Sequence, residues 1–184
     1  YTEGLKIKSL NTVLDTFIDI VSKNGVLLLN ISPKADGSIP ERQKKVLRGL
    51  GDWLDRNGEA IYGTRPWKTF GEGPTRLKKG GHFVKHVEYT SEDVRFTRSK
   101  DGETLYAILL GWPGTNEKVT IDSVSEANLP AETEIRSVSL LGHDGNIDWE
   151  MTADGLTVTT PGTKVSELAV VFELQADGSV MKQN

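Results

Sequence analysis

Six consecutive residues, Val26 to Ile31, constrain the fold of this chain more than any other stretch. They read Val-Leu-Leu-Leu-Asn-Ile, five apolar residues and one Asn. Such a run predicts a strand buried on both faces, as in a parallel sheet. A strand of that kind needs a neighbour on each side, because its backbone N–H and C=O groups must be paired once water is excluded.

The flanking sequence is helical. Leu10, Val13, Leu14, Phe17, Ile18 and Val21 recur at i, i+3, i+4 and i+7 and predict an amphipathic helix. Ser9 is placed to cap its start, and Asn24-Gly25 to end it, with Gly25 in the left-handed position. Asp15 and Asp19 fall on its polar side. After a turn at Asp36-Gly37, Ser38-Ile39-Pro40-Glu41 has the spacing of a capping box, with Glu41 as its reciprocal cap. The helix behind it puts Val46, Leu47, Leu50, Trp53 and Leu54 on one face and ends near Asn57-Gly58. Asp52 and Asp55 face solvent. Helix, buried strand, helix is a slice of an α/β fold, and one parallel strand cannot stand alone as a sheet.

The rest of the chain supplies no obvious partner. From residue 61 to about 90, Gly, Pro and Thr are dense and the hydrophobic rhythm lapses. Arg76, Lys78 and Lys79 form a basic cluster there that reads as a solvated loop. From about residue 92 the rhythm becomes β. "DVRFTRSKDGETLYAILLGW" predicts a hairpin around Lys100-Asp101-Gly102-Glu103. "KVTIDSV", "EIRSVSLLG", "IDWEMTADGLTVTTPG" and "ELAVVFELQ" follow, with turns at Asp144-Gly145 and Asp154-Gly155. Short, evenly spaced strands of this kind predict an antiparallel β-sandwich. Strands joined by short turns pair antiparallel, so they are not the parallel neighbours of Val26–Ile31. The expected layout is therefore the last part of a larger α/β domain followed by an all-β domain. Residues 1–70 are expected to close the α/β domain, 71–91 to connect, and 92–184 to form the sandwich.

Bulk composition narrows the function classes. The net charge of −4 over 184 residues argues against nucleic acid or an anionic membrane surface as partner. No apolar run reaches the roughly 18 residues of a membrane-spanning helix. There is no Cys, which excludes disulfides and thiolate metal sites. His82 and His86 are four apart, but "GGHFVKHVEYT" reads as loop and strand rather than helix, so they are not expected to form a metal pair. The chain opens on Tyr1 without a signal-peptide pattern. Tyr1 is therefore not expected to be the start of translation.

The blocks "DIVSKNGVLLLNISPKADGSIP", "WLDRNGEAIYGTRPW" and "KTFGEGP" resemble the C-terminal third of α-L-fucosidases of glycoside hydrolase family 29. "DVRFTRSKDGETLYAILLGWP" resembles the first strands of the sandwich that follows the catalytic barrel in that family. The likeness runs over residues 1 to about 125. Val26 stands where the family commonly has Asn. The resemblance implies that residues 1–70 are the last helix–strand–helix of a (β/α)8-like barrel, joined to a C-terminal antiparallel β-sandwich. It implies a retaining glycosidase, with two carboxyl groups about 5–5.5 Å apart working by double displacement on fucosylated glycans.

The Asp nucleophile that the resemblance implies has no counterpart in this sequence, so the isolated chain is expected to be inactive. Glu3 is the candidate acid/base, since in some family members a carboxylate falls just after a Tyr in that position. Leu27, at a strand position near the sugar in the family, and Asn30 are the candidate substrate-binding residues. No metal or cofactor is expected. The implied partners are the glycan and the missing N-terminal barrel segment, whether in the same protein or in a second chain; a homo-oligomer stays open. Secretion or export to the periplasm follows family habit. Trp67 and Trp112 are candidates for stacking on sugar, although "RPW" and "GWP" read better as packing anchors. The alternative reading is a non-catalytic sandwich, either a glycan-binding module or a structural buttress.

Overall fold

A computed structural model of the chain describes residues 4–76 and 87–181. The first helix, α1, spans Leu10–Ser22, and the Ser9 hydroxyl accepts the Thr12 N–H at 3.2 Å as its N-cap. At the other end Asn24 takes the left-handed conformation, with φ 64°. Its N–H donates to Val21 O at 2.9 Å, and the Gly25 N–H donates to Ile20 O at 2.8 Å. This is the paired hydrogen bonding of a Schellman end. The left-handed residue is thus Asn24 rather than the expected Gly25. Gly25 is needed for space, since a Cβ there would lie 2.7 Å from the Ile20 side chain.

The second helix, α2, spans Glu41–Asn57 with Pro40 at its N-cap. The expected capping box does not form. Ser38 donates both its N–H (2.9 Å) and its hydroxyl (2.7 Å) to Asp36 Oδ1 instead. The helix begins too late for Ser38 to reach its first turn, and Glu41 pairs with Lys44 at 2.7 Å rather than turning back. A short 3-10 turn, Gly58–Ala60, ends this half.

Between the helices, residues 25–34 form no regular element and no ladder. Val26 and Leu28, expected in a buried strand, are 93% and 85% exposed. The reason is the one that the sequence raises. Every described strand pairs antiparallel with another strand of the β half, and none runs beside Val26–Ile31.

Eight strands make that β half: β1 Arg65–Glu72, β2 Val94–Arg98, β3 Thr104–Leu109, β4 Lys118–Ile121, β5 Glu134–Leu140, β6 Trp149–Met151, β7 Leu156–Thr159 and β8 Val170–Asp177. They form a five-stranded sheet, β1-β2-β3-β8-β5, and a three-stranded sheet, β4-β7-β6. β1 lies within the stretch where no hydrophobic rhythm is visible in the sequence. Its alternation is broken because its register with β2 shifts between Pro66 and Gly71. Pro66 is tolerated because β1 is an edge strand. Gly71 is required at the bulge, where a Cβ would stand 2.3 Å from Val94 O.

The five-stranded sheet is covered on both faces. Leu105, Ala107 and Leu109 of β3 join Phe96, Phe172, Ile121, Leu156 and Val158 between the two sheets. The alternate residues Tyr106 and Ile108, with the adjoining Leu110, join Leu14, Ile18, Trp53 and Ala169 between the sheet and the helices. Period-2 alternation thus feeds two cores from one strand. Trp53 of α2 ties the helices to the sheet through Nε1–H to Ala169 O at 2.8 Å, while Trp67 of β1 donates to Val180 O at 2.9 Å within the sandwich core.

Candidate functional site

In a helix–strand–helix slice of an α/β barrel, the loop from the strand into the next helix lies on the face where active sites form. Here that loop runs from Asn30 to Pro40. Its turn is closed by Lys34 N–H to Ser38 O (2.8 Å) and Gly37 N–H to Lys34 O (2.9 Å). Its root is held from α2. The Ser32 N–H donates to Gln43 Oε1 at 2.8 Å, and Gln43 Nε2–H donates to Ser32 O at 3.0 Å. Gln43 is 7% exposed, so both halves of its amide are used inside the fold. Beneath the loop, an apolar groove is lined by Leu5, Ile7, Val13, Leu27, Val46 and Leu47.

The candidate sugar contacts lie here. Leu27 is half-buried in the wall of the groove, and Asn30 stands exposed at its rim. Glu3 lies outside the described residues, as do His82, His86, Lys78 and Lys79. Trp67 is 5% exposed and packs edge-on against Phe96, with ring centroids 5.1 Å apart. Trp112 and Trp149 are packed against the sandwich core. These three indoles are packing groups, and none forms an exposed platform. Among the described residues, no group of three or more His, Asp or Glu is placed to hold a metal ion. No described helix is long and apolar enough to cross a membrane.

A second polar cluster joins α1 to the sandwich. Asp15 and Asp19 are not on a solvated face as expected: they are 3% and 8% exposed, turned toward β2. Arg95 of β2 donates from Nε to Asp19 Oδ1 at 2.7 Å, and Lys23 Nζ meets Asp19 Oδ2 at 2.6 Å. The Arg95 guanidinium also donates to Val94 O at 2.8 Å and lies over the Tyr89 ring. Asp93, fully buried, accepts from Thr75 N–H, the Thr75 hydroxyl and Thr90 N–H at 2.7–3.0 Å.

Asp15 is the least well served member of this cluster. Asn11 Nδ2–H donates to its Oδ2 at 2.9 Å, while its Oδ1 is buried without a hydrogen-bond partner among the described residues. Burial pushes its pKa up to about 7, opposed by Arg95 and reinforced by Asp93. Helical periodicity gave no sign of this, since the strands packed against α1, β1 and β2, lie far along the sequence. The Gln43 clamp left a trace: a Gln three residues after a Pro at a helix start.

The described architecture is a helix–loop–helix layer with an unpaired apolar segment, set on an antiparallel β-sandwich, as at the end of an α/β barrel that passes into a β-sandwich. Two family models match in the same order along the chain. The α-L-fucosidase model covers residues 1–59, and the α-L-fucosidase C-terminal domain model covers residues 87–175. Together they take in most of the sequence, and the chain belongs to the α-L-fucosidase family. It is 31% identical over 161 residues to tissue α-L-fucosidase of Homo sapiens, covering 87% of this chain and 29% of that protein. It is 31% identical over 151 residues to an α-L-fucosidase of Branchiostoma floridae, covering 82% and 28% respectively. A crystal structure of Thermotoga maritima α-fucosidase in complex with fucose superposes with a TM-score of 0.70 at 30% identity, over 95% of this chain and 37% of that one. The chain thus spans less than a third of the length of these curated relatives.

Proposed function

We propose that the chain is the C-terminal part of a retaining α-L-fucosidase of glycoside hydrolase family 29, which removes terminal α-L-fucose from glycans by double displacement. One observation carries the reading. Val26–Ile31 is largely apolar and unpaired, with Val26 and Leu28 exposed, in a chain that both fucosidase models match in order. Such a segment is completed by parallel strands supplied from outside these residues, which form the rest of a (β/α)8-like barrel. The upstream part then carries the Asp nucleophile, and residues 1–184 alone do not hydrolyse fucosides. Leu27 and Asn30 face the sugar from the last strand, and Glu3 supplies the acid/base carboxyl.

The sandwich acts as a buttress, which the burial of one face of its five-stranded sheet under the helices supports. The protein works outside the cytoplasm, as a secreted or periplasmic enzyme, with the fucosylated glycan and the upstream barrel segment as its partners. The test is turnover of an aryl α-L-fucoside by the intact parent protein, followed by the Glu3→Gln variant. An acid/base variant loses rate chiefly on poor leaving groups, and external azide restores turnover. Wild-type kinetics in Glu3→Gln remove Glu3 from the mechanism.

A further inference from the structure

We infer that Gln43 is a positioning residue for the sugar pocket. It holds the Asn30–Ser32 segment from behind as a side-chain substitute for a neighbouring strand. The inference rests on the function proposed above.

A Gln at the third helical position ordinarily turns back to accept the N–H of the N-cap residue. Here the N-cap is Pro40, which has no N–H. The usual partner is missing, so the Gln43 amide is free for another. The Gln43 backbone is anchored independently, its N–H donating to Pro40 O at 2.9 Å. The side chain then reaches across to Ser32 and makes two bonds of opposite sense, accepting at 2.8 Å and donating at 3.0 Å. One donor and one acceptor aimed at the N–H and C=O of a single residue is the pattern that an adjacent strand presents.

Ser32 is where this matters. It follows directly on the apolar segment, at the end that faces the active-site side of a barrel. Beyond it the loop is self-contained, closed by the Lys34–Ser38 and Asp36–Ser38 bonds. The Gln43 clamp therefore fixes the direction in which the segment leaves the barrel wall. Asn30, two residues before the clamp and exposed, inherits that direction. An amide that satisfies backbone groups through both of its halves, 7% exposed, holds a narrower geometry than a packed aliphatic side chain in its place.

The test uses the intact parent protein. Gln43→Glu keeps the shape and the acceptor but cannot donate to Ser32 O. Leu54→Ala, on the same helix but packed toward the sheet, controls for loss of stability alone. With an aryl α-L-fucoside, Gln43→Glu is expected to raise KM about tenfold with kcat within about twofold, the signature of lost uniform binding. Leu54→Ala should leave both constants unchanged at a temperature where each variant is folded. In an Asn30→Ala background the Gln43→Glu effect on KM should vanish, since the contact that it orients is gone. An unchanged KM in Gln43→Glu, or an effect that persists undiminished in the Asn30→Ala background, overturns the inference. A wild-type parent with no fucosidase turnover overturns the proposed function and this inference with it. A competent wild type with kinetically silent Gln43 variants overturns the inference alone.

Discussion

Replacing Asp15 by Asn tests whether the junction of α1 with the sandwich holds a carboxyl that folding keeps protonated. The pKa of Asp15 rises from 3.8 to about 7 because burial disfavours the charged form. A rise of about three pH units at about 1.4 kcal/mol each corresponds to about 4 kcal/mol. Water reaching the ionised group reduces this, so about 2–4 kcal/mol is expected.

The sign follows from linkage. The folded state holds the proton more tightly than the unfolded chain, so the contribution of Asp15 to stability is complete below about pH 4. It declines as pH rises through about 7 and changes no further above that. Asn reproduces the neutral acid and does not titrate. Asp15→Asn should therefore match the wild type near pH 4 and exceed it by about 2–4 kcal/mol at pH 8. Arg95, Asp93, Asp19 and Tyr89 surround the site. They are present in both proteins, so the comparison isolates the Asp15 carboxyl. The assay is urea unfolding of the intact protein and its variant at half-unit steps from pH 4 to pH 8. Curves that run parallel across that range would refute a protonated Asp15.

Two further outcomes follow from the same region. Arg95→Leu leaves Asp19 buried with only Lys23 as partner and should cost about 3 kcal/mol in denaturant unfolding. Arg95→Lys, which keeps the charge but loses the fork, should cost less. A Leu variant within about 0.5 kcal/mol of wild type would contradict the role given to the pair. Gly71→Ala places a methyl 2.3 Å from Val94 O, so the bulge in β1 must shift, at about 1–3 kcal/mol. Loss of amide-exchange protection along β1 and the neighbouring part of β2 should accompany it, and an unchanged urea midpoint would argue against the bulge.

Much of this was legible in the sequence, where a single physical rule acts locally. The α1 periodicity, its Ser9 cap and the short strands from Val94 onward are set by side-chain spacing, and they appear where expected. The apolar run Val26–Ile31 was legible too, but not its conformation: it forms no ladder, because no described strand runs beside it. What was hidden depends on residues distant in sequence. β1 is a strand because β2 pairs with it across a bulge, and its own Pro66 and Gly71 conceal the alternation. Asp15 and Asp19 read as surface acids until Arg95 arrives from the sandwich. Ser38 read as a cap because Asp36 is an equally good local partner, and the sequence does not rank the two. Leu27 was placed near the sugar by resemblance, and Asn30 by its position at the C-terminal end of the expected barrel strand. The geometry adds a groove wall for the one and an exposed rim for the other.

The double-faced burial of β3 has a consequence for how this region can be divided. The boundary between its α and β halves runs through the thickness of one strand rather than along a linker. Cutting the chain after Ala60 would strip the cover from Tyr106, Ile108, Leu110, Ala169 and Val171 together. The larger of these would each lose on the order of 2 kcal/mol of burial. The freed sandwich would carry an apolar face shaped for helices it no longer has. The two halves are therefore expected to melt as one body, in a single calorimetric transition, and a sandwich cut free after Ala60 is expected to aggregate. The sandwich of such a protein cannot be exchanged as a cassette without its helices, so the unit that recombination could move is the strand with the cover on both of its sides.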